Sequence, residues 1–262
     1  MTLEVLLSCM NQSDFSIVKN SGLISDVLII NQCMQECEQQ LYIDNQRIRM
    51  VSTKERGLSK SRNLAIRLSD RDICLLCDDD EVFVSDYEEI ILRNFEQLPE
   101  ADIIAFDIQN KETRLKRKIH KIGKLGSLRL CSVQLAFRRK AILSHGVGFD
   151  PIMGAGTGNG ACEENKFLFD CIRSGLRLYY VPETIASLNT GGSTWFDNYD
   201  ELFFRQRGSS TRYMMGLIPS IAYGMYYLFA KYQLYSDTIS MTDAGRALFG
   251  GIYNNTLKKV RY

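Results

Sequence analysis

The sequence predicts an α/β fold, a mostly parallel sheet flanked by helices, with a helical extension at its C-terminal end. Three observations predict it. Apolar runs of strand length recur at Leu3–Cys9, Val27–Ile30 and Ile73–Cys77. Segments of helical character separate them, and strands alternating with helices build a parallel sheet covered on both sides. No internal repeat, long linker or low-complexity tract interrupts the 262 residues, and an α/β domain of that length need not split.

The elements follow in order. Leu3 to Cys9 reads as the first strand, followed by polar Asn11-Gln12-Ser13-Asp14 and a short helix ending near Gly22. Val27 to Ile30 is the second strand, and Arg47 to Val51 a short third one. Gly57 opens a helix that runs through Leu68, with Leu64 and Leu68 four apart on one face. Ile73 to Cys77 is a buried strand. Asp86 to Leu98 is an amphipathic helix stopped by Pro99, and Ala101 to Ile108 is again strand. Near the C-terminal end, Tyr213 to Ala230 is 18 residues without a charge. Length alone admits a membrane span, but Pro219, two glycines, a serine and four tyrosines leave it weakly apolar. The expectation is a helix, or a helix pair, that packs on the domain or lies in the membrane interface.

Composition excludes several classes. The net charge is +1, so nothing global points to nucleic acid as a partner. Hydrophobic content of 45% and charged content of 24% are ordinary for a soluble globular protein. Eight cysteines sit mostly in apolar segments. Cys74 and Cys77 are three apart on a strand, face opposite sides, and have no second pair to complete a zinc site. Reduced, buried thiols in a cytosolic protein are the expectation. Met1-Thr2-Leu3-Glu4 lacks a basic start, and Glu4 and Asn11 bracket too short an apolar run for a signal peptide. A cytoplasmic protein is therefore expected, at the inner face of the cell membrane if the uncharged stretch is interfacial. Lys111, Arg114, Lys116, Arg117, Lys118 and Lys121 form a basic run, read either as a solvated loop or as attraction to a diphosphate or an anionic membrane.

The chemistry concentrates where the Ile73–Cys77 strand ends, in Asp78-Asp79-Asp80-Glu81. Carboxylates packed this closely repel one another without a cation. In an open α/β sheet the carboxyl ends of the strands are also where ligands bind. On an extended chain Asp78 and Asp80 would point to the same side and could share one hard divalent ion, leaving its other positions for phosphate oxygens and water.

Arg56-Gly57-Leu58-Ser59-Lys60-Ser61-Arg62-Asn63, followed by a strand ending in those acids, resembles the first half of family 2 glycosyltransferases with the GT-A fold. Later pieces fit as well: Phe149-Asp150, a glycine-rich loop, Glu163-Glu164-Asn165, and Gly175 before Tyr179-Tyr180-Val181-Pro182. The resemblance spans about residues 3 to 200, and its pieces are specific through their order and spacing. It implies a Rossmann-like sheet with a nucleotide-sugar half over residues 1–110, an acceptor half over 111–200 and an extension over 201–262. It implies Mg²⁺ or Mn²⁺ on Asp80 and Asp78, with Asp79 or Asp78 toward the ribose. Arg62, Arg56 and Ser59 would serve the donor, with Ser8 and Asn11 at the end of the first strand. Glu164, preceded by Glu163, would be the general base of a single displacement with inversion. Gly156, Asn165 and Trp195 would lie on the acceptor side.

Three departures qualify the match. Where the family usually reads the base with an Asp, this chain has Ile30-Asn31-Gln32-Cys33, so Asn31 or Gln32 would meet a pyrimidine edge. Glu replaces Asp at the position of the base. His120 and His145 are the only histidines and both precede Glu164, so a late metal-binding histidine is absent or replaced by Asn189. The expected partners are a nucleotide-sugar, with UDP as the default, and an oligosaccharide or lipid-linked acceptor. Two other classes stay open: a sugar nucleotidyltransferase, which needs no base at Glu164, and a non-catalytic sugar-nucleotide-binding partner of a transferase.

Overall fold

The computed structural model describes residues 1–109, 115–154, 157, 159, 162–188, 198–254 and 257. They form two compact units, one of Met1–Phe149 with Glu164–Thr190 and one of Asp150–Glu163 with Gly191–Tyr262.

The first unit runs β1 (Leu3–Met10), α1 (Ser16–Asn20), β2 (Asp26–Gln32), β3 (Cys37–Ile43), β4 (Gln46–Thr53), α2 (Leu58–Leu68), β5 (Ile73–Cys77) and β6 (Glu81–Phe83). It continues with α3 (Tyr87–Gln97), β7 (Ile103–Gln109), β8 (His120–Ile122), α4 (Lys124–Ser127), β9 (Leu135–Arg138) and α5 (Arg139–Ser144). Helix α6 (Glu163–Arg173) begins at the boundary between the units and leads into β10 (Leu178–Leu188). One ten-stranded sheet results, in the order β3-β4-β2-β1-β5-β9-β7-β10-β6, with β8 beside β10. Strands β1, β2, β4 and β5 are parallel, and so are β7 and β10. Strand β9 runs antiparallel to both β5 and β7, so those two point the same way. The carboxyl ends of β1, β2, β4, β5, β7 and β10 therefore open onto one edge of the sheet.

The central strands are buried on both faces, which is why they read as unbroken apolar runs. One face packs against Ile17, Val18, Tyr87, Ile91 and Phe95 from α1 and α3. Helix α3 buries positions 87, 90, 91, 94 and 95, the stripe of a one-sided helix, and carries Glu88 and Glu89 in its first turn. The other face packs against Ala65 and Ile66 of α2, Ile142 of α5, and Phe167, Leu168 and Cys171 of α6.

Five strands, β3, β6, β8, β9 and β10, were not among those read from the sequence. Strand β3 is exposed at all seven positions and joins β4 in a hairpin, so no apolar alternation announces it. Strand β6 is three residues long and hides within the acidic run.

In the second unit, α7 (Glu201–Met215), α8 (Leu217–Ala230) and α9 (Met241–Asn254) surround a cluster of Phe204, Tyr227, Tyr235, Leu248 and Ile252. Asp200 caps α7 by accepting the Phe203 amide at 2.7 Å. The uncharged stretch is a helix pair: Tyr213–Met215 finish α7, Gly216 turns with φ +84°, and α8 follows. Among the described residues no helix is long and apolar enough to cross a membrane. Helices α7 and α9 meet backbone to backbone. A Cβ on Gly208 would fall 2.1 Å from the Leu248 carbonyl oxygen, and one on Gly251 would fall 2.1 Å from that of Arg205.

That contact can be tested with a matched pair. Gly208→Ala is expected to destabilise the protein by about 3 kcal/mol, because backbone rather than a flexible side chain blocks the methyl. Gly250→Ala, with nothing within 4 Å of the added carbon, is expected to be neutral or stabilising in a thermal melt.

Candidate active site

Strand β5 delivers the acidic residues. Its five positions are buried, and the chain then turns at Asp79–Asp80 before Glu81 enters β6. There Glu81 pairs with Leu188 and Phe83 with Ala186, near the carboxyl end of β10. The turn thus spans from the middle of the sheet to β10. The expectation that Asp78 and Asp80 share one side of an extended chain is corrected here, because the backbone bends between them.

Asp78 is gripped from below by Arg62. The guanidinium Nη2 donates to both carboxylate oxygens, at 2.9 and 3.1 Å, and to Ser132 Oγ at 2.8 Å. Arg62 is only 2% exposed, and its guanidinium carbon lies 5.3 Å from the centre of the Phe149 ring. Arg62 thus stands directly beneath the acidic turn, with its guanidinium on the Asp78 carboxylate. Its neighbour Asn63 holds the same Phe149 by the backbone: Asn63 Nδ2 donates to the Phe149 carbonyl at 2.7 Å, and the Phe149 amide donates to Asn63 Oδ1 at 2.8 Å. Phe149 then stacks on Phe167 of α6 at 4.3 Å with rings 9° apart. Neither Asn63, Ser132 nor Phe149 was singled out for the site from sequence. The adjacency of Arg62 and Asn63 was the available signal.

Asp79 and Asp80 are exposed. Partial loss of water around the turn, together with the Asp78 and Asp80 charges, raises the Asp79 carboxyl above its ordinary value. Glu81 is 1% exposed, and among the described residues neither carboxylate oxygen has a hydrogen-bond partner. Burial first, and then the Asp78 charge, push its carboxyl well up. A cation at the turn would relieve this repulsion. Among the described residues no three His, Cys, Asp or Glu side chains converge as a ready-made metal cage.

The donor-side candidates divide into braces and exposed groups. Asn31 is buried; its Nδ2 donates to the Gln12 carbonyl at 2.8 Å and Ser52 Oγ at 3.2 Å, and its Oδ1 accepts the Gln12 amide at 2.9 Å. That amide is spent on pinning the loop after β1. Gln32 Oε1 accepts the Gly57 amide at 2.7 Å, where φ of +119° lets the chain turn into α2. Ser8 Oγ meets Ser61 Oγ at 2.8 Å and ties β1 to α2. Ser59 is buried on the inner side of α2. Asn11 adopts φ 54° at the end of β1, a conformation Asn tolerates, and it is exposed, as is Arg56.

The second acidic pair stands at the start of α6. Cys162 has φ 92°, an unusual value for a residue with a side chain, and directly precedes it. Glu163 is buried, and a Cβ on Gly154, itself at φ +99°, would come within 3.1 Å of the Glu163 carboxyl carbon. Glu164 is half-buried. Asn165 Nδ2 donates to the Ser127 and Leu130 carbonyls at 3.1 and 3.2 Å, which makes it a clamp on the segment after α4. Helix α6 leads by a short turn into β10 and packs on the sheet, so it runs against the strand direction. Eleven residues at about 1.5 Å each carry its first turn back to the edge where β5 ends. Glu164 and the acidic turn thus share one edge of the sheet. Gly156, Asn189 and Trp195 lie outside the described residues, as do Lys111 and Arg114 of the basic run.

Residues 3–152 match the family model for glycosyl transferase family 2. The crystal structure of S. aureus TarS 1–349 in complex with UDP-GlcNAc aligns with a TM-score of 0.67 at 11% identity, over 97% of this chain and 80% of that one. The mannosyltransferase PcManGT from Pyrobaculum calidifontis, in complex with GDP-Man and Mn²⁺, aligns with a TM-score of 0.55 at 11% identity, over 97% and 86%. Against S. aureus TarS the TM-score is 0.64 at 10% identity, over 98% of this chain and 49% of that one. At these identities the likeness is one of GT-A fold. No curated protein sequence matches the chain.

Glu81 gives a pH-dependence with a definite sign. Its native carboxyl holds a proton to higher pH than the unfolded one, so in EDTA stability falls as pH rises above the ordinary carboxylate range. Glu81→Gln is expected to raise the unfolding temperature at about pH 8 and to change it little at about pH 4. A lower melting temperature for the variant at the higher pH would contradict this assignment.

Proposed function

Because the chain belongs to glycosyl transferase family 2 and is an enzyme of that class, we propose that it is a metal-dependent, inverting transferase. It moves a sugar from a nucleoside diphosphate sugar, a UDP-sugar by default, to a hydroxyl of a glycan or lipid-linked sugar. The observation that carries the reading is the shared sheet edge of Glu164 and the acidic turn.

Asp80, with Asp78, would hold Mg²⁺ or Mn²⁺, and the bound cation would neutralise charge on the departing diphosphate. Arg62 keeps the Asp78 carboxylate aimed at that position. Asp79 is left to the ribose. Glu164 takes the proton of the acceptor hydroxyl as its oxygen bonds to the anomeric carbon from the face opposite the diphosphate. The bond to the diphosphate oxygen breaks with its electron pair, so one displacement inverts the centre. Glu163 would orient Glu164. Gln32, whose Oε1 holds Gly57 while Nε2 has no acceptor among the described residues, is the better candidate than Asn31 for reading the base. Gly156 and Trp195 remain the acceptor-side candidates.

Supporting observations are the repulsion at the turn and the nucleotide-sugar complexes of the two structural neighbours, UDP-GlcNAc in one and GDP-Man with Mn²⁺ in the other. The test is nucleoside diphosphate release across a donor panel with Mn²⁺ or with EDTA. Glu164→Gln is expected to lower kcat about 10²- to 10⁴-fold while donor binding persists. Asp80→Asn is expected to lose the metal-dependent response. Turnover of Glu164→Gln at the wild-type rate, or pyrophosphate release from nucleoside triphosphates, would overturn the reading.

A further inference from the structure

Helix α8 buries one side and leaves the other open. Ser220, Gly224, Tyr227 and Leu228 are buried, with Gly224 closed over by the side chains of Leu248 and Ile252 of α9. On the opposite side Ile218, Met225 and Phe229 recur at intervals of seven and four, one stripe of a helix, with Tyr226 beside them. All are exposed: Ile218 is 80%, Met225 44% and Phe229 61% exposed. Tyr232 and Leu234 extend the apolar surface past the helix end.

The chain segment that carries this face has charges of one sign. From residue 202 to residue 236 the chain carries Arg205, Arg207, Arg212 and Lys231 and no acid. Arg207 is half-buried, with its guanidinium over the Phe203 and Tyr227 rings. Arg212 and Lys231 flank α8, and with Arg205 they have no carboxylate partner among the described residues. An acidic protein groove would suit the cations, but it would not suit an apolar stripe bordered by tyrosines. A second copy of the chain would bring the same cations face to face. An anionic lipid surface satisfies both features. Acyl chains take the stripe, tyrosines sit at headgroup depth, and the flanking cations meet the negative leaflet.

We propose that α8 is an interfacial membrane-docking helix, inserting Ile218, Met225 and Phe229 into an anionic bilayer surface while Arg212 and Lys231 engage its headgroups. Helix α8 lies along the surface, since at 14 residues it is too short to span. The docking is independent of the donor site, so it stands or falls apart from the proposed reaction.

The test is co-sedimentation of the full chain with vesicles of phosphatidylcholine alone or mixed with phosphatidylglycerol. Binding to the anionic vesicles is expected to exceed that to the neutral ones about tenfold and to weaken with added salt. Ile218→Asp with Phe229→Asp is expected to cut it about tenfold or more, with the melting temperature and nucleoside diphosphate release unchanged. Lys231→Glu, which leaves the apolar stripe intact, is expected to give a smaller loss and a flatter salt dependence. The proposal is overturned if the protein ignores both vesicle types, or if the double variant binds as well as wild type. It is also overturned if analytical ultracentrifugation finds a dimer that the double variant dissolves, which would assign the stripe to a second copy.

Discussion

The site depends on one buried cation. A guanidinium taken out of water must be paired and hydrogen-bonded, or it costs more than the fold can spare. Arg62 meets that demand with Asp78, Ser132 and the face of Phe149. Each partner belongs to a different segment: the end of β5, the stretch before β9, and the chain that precedes the second acidic pair. Satisfying one side chain therefore fixes three loops. Through Phe149 and Phe167 the constraint reaches α6, so the element that carries Glu164 is registered against the turn that carries Asp80. Arg62 holds Asp78 and Phe149 together, and Asn63 locks the same aromatic by its backbone.

The direction of the sheet does the rest. Parallel strands gather their carboxyl ends on one edge, and the loops there are pinned by side chains rather than left slack. Asn31 holds the loop after β1, Gln32 holds the start of α2, and Asn165 holds the segment after α4. Against this rigid frame the acidic turn is deliberately unfavourable: three adjacent aspartates and a buried Glu81 carboxyl without a hydrogen-bond partner among the described residues. Local rules are broken at one place, and it is the place where a cation and a diphosphate would restore the balance.

Much of this was legible in the sequence. Unbroken apolar runs announced β1, β2 and β5, because strands buried on both faces need apolar residues at every position. Gly57 and Pro99 marked helix ends through backbone geometry alone. The two acidic groups and the motif around Arg62 pointed to the candidate site. What failed was information held by partners distant in the chain. Strand β3 has no buried face and so no periodicity. Glu81 looked like one more acid of the turn, although strand pairing with Leu188 buries it. The protein partners of Asn31 and Asn165 could not be read either, because which group satisfies an amide is a tertiary fact. Gly208 and Gly251 gave no sign of being a helix contact, since each acquires meaning only from the backbone opposite.

The most direct measurement is calorimetric titration of the protein with UDP in Mn²⁺, in EDTA, and in Mn²⁺ for Asp80→Asn. The account predicts binding that requires the metal and is lost in the variant, because the acidic turn can meet a diphosphate only through a cation. Binding of equal strength in EDTA, or undiminished binding by Asp80→Asn, would contradict it and leave the acidic turn without a role in the donor site.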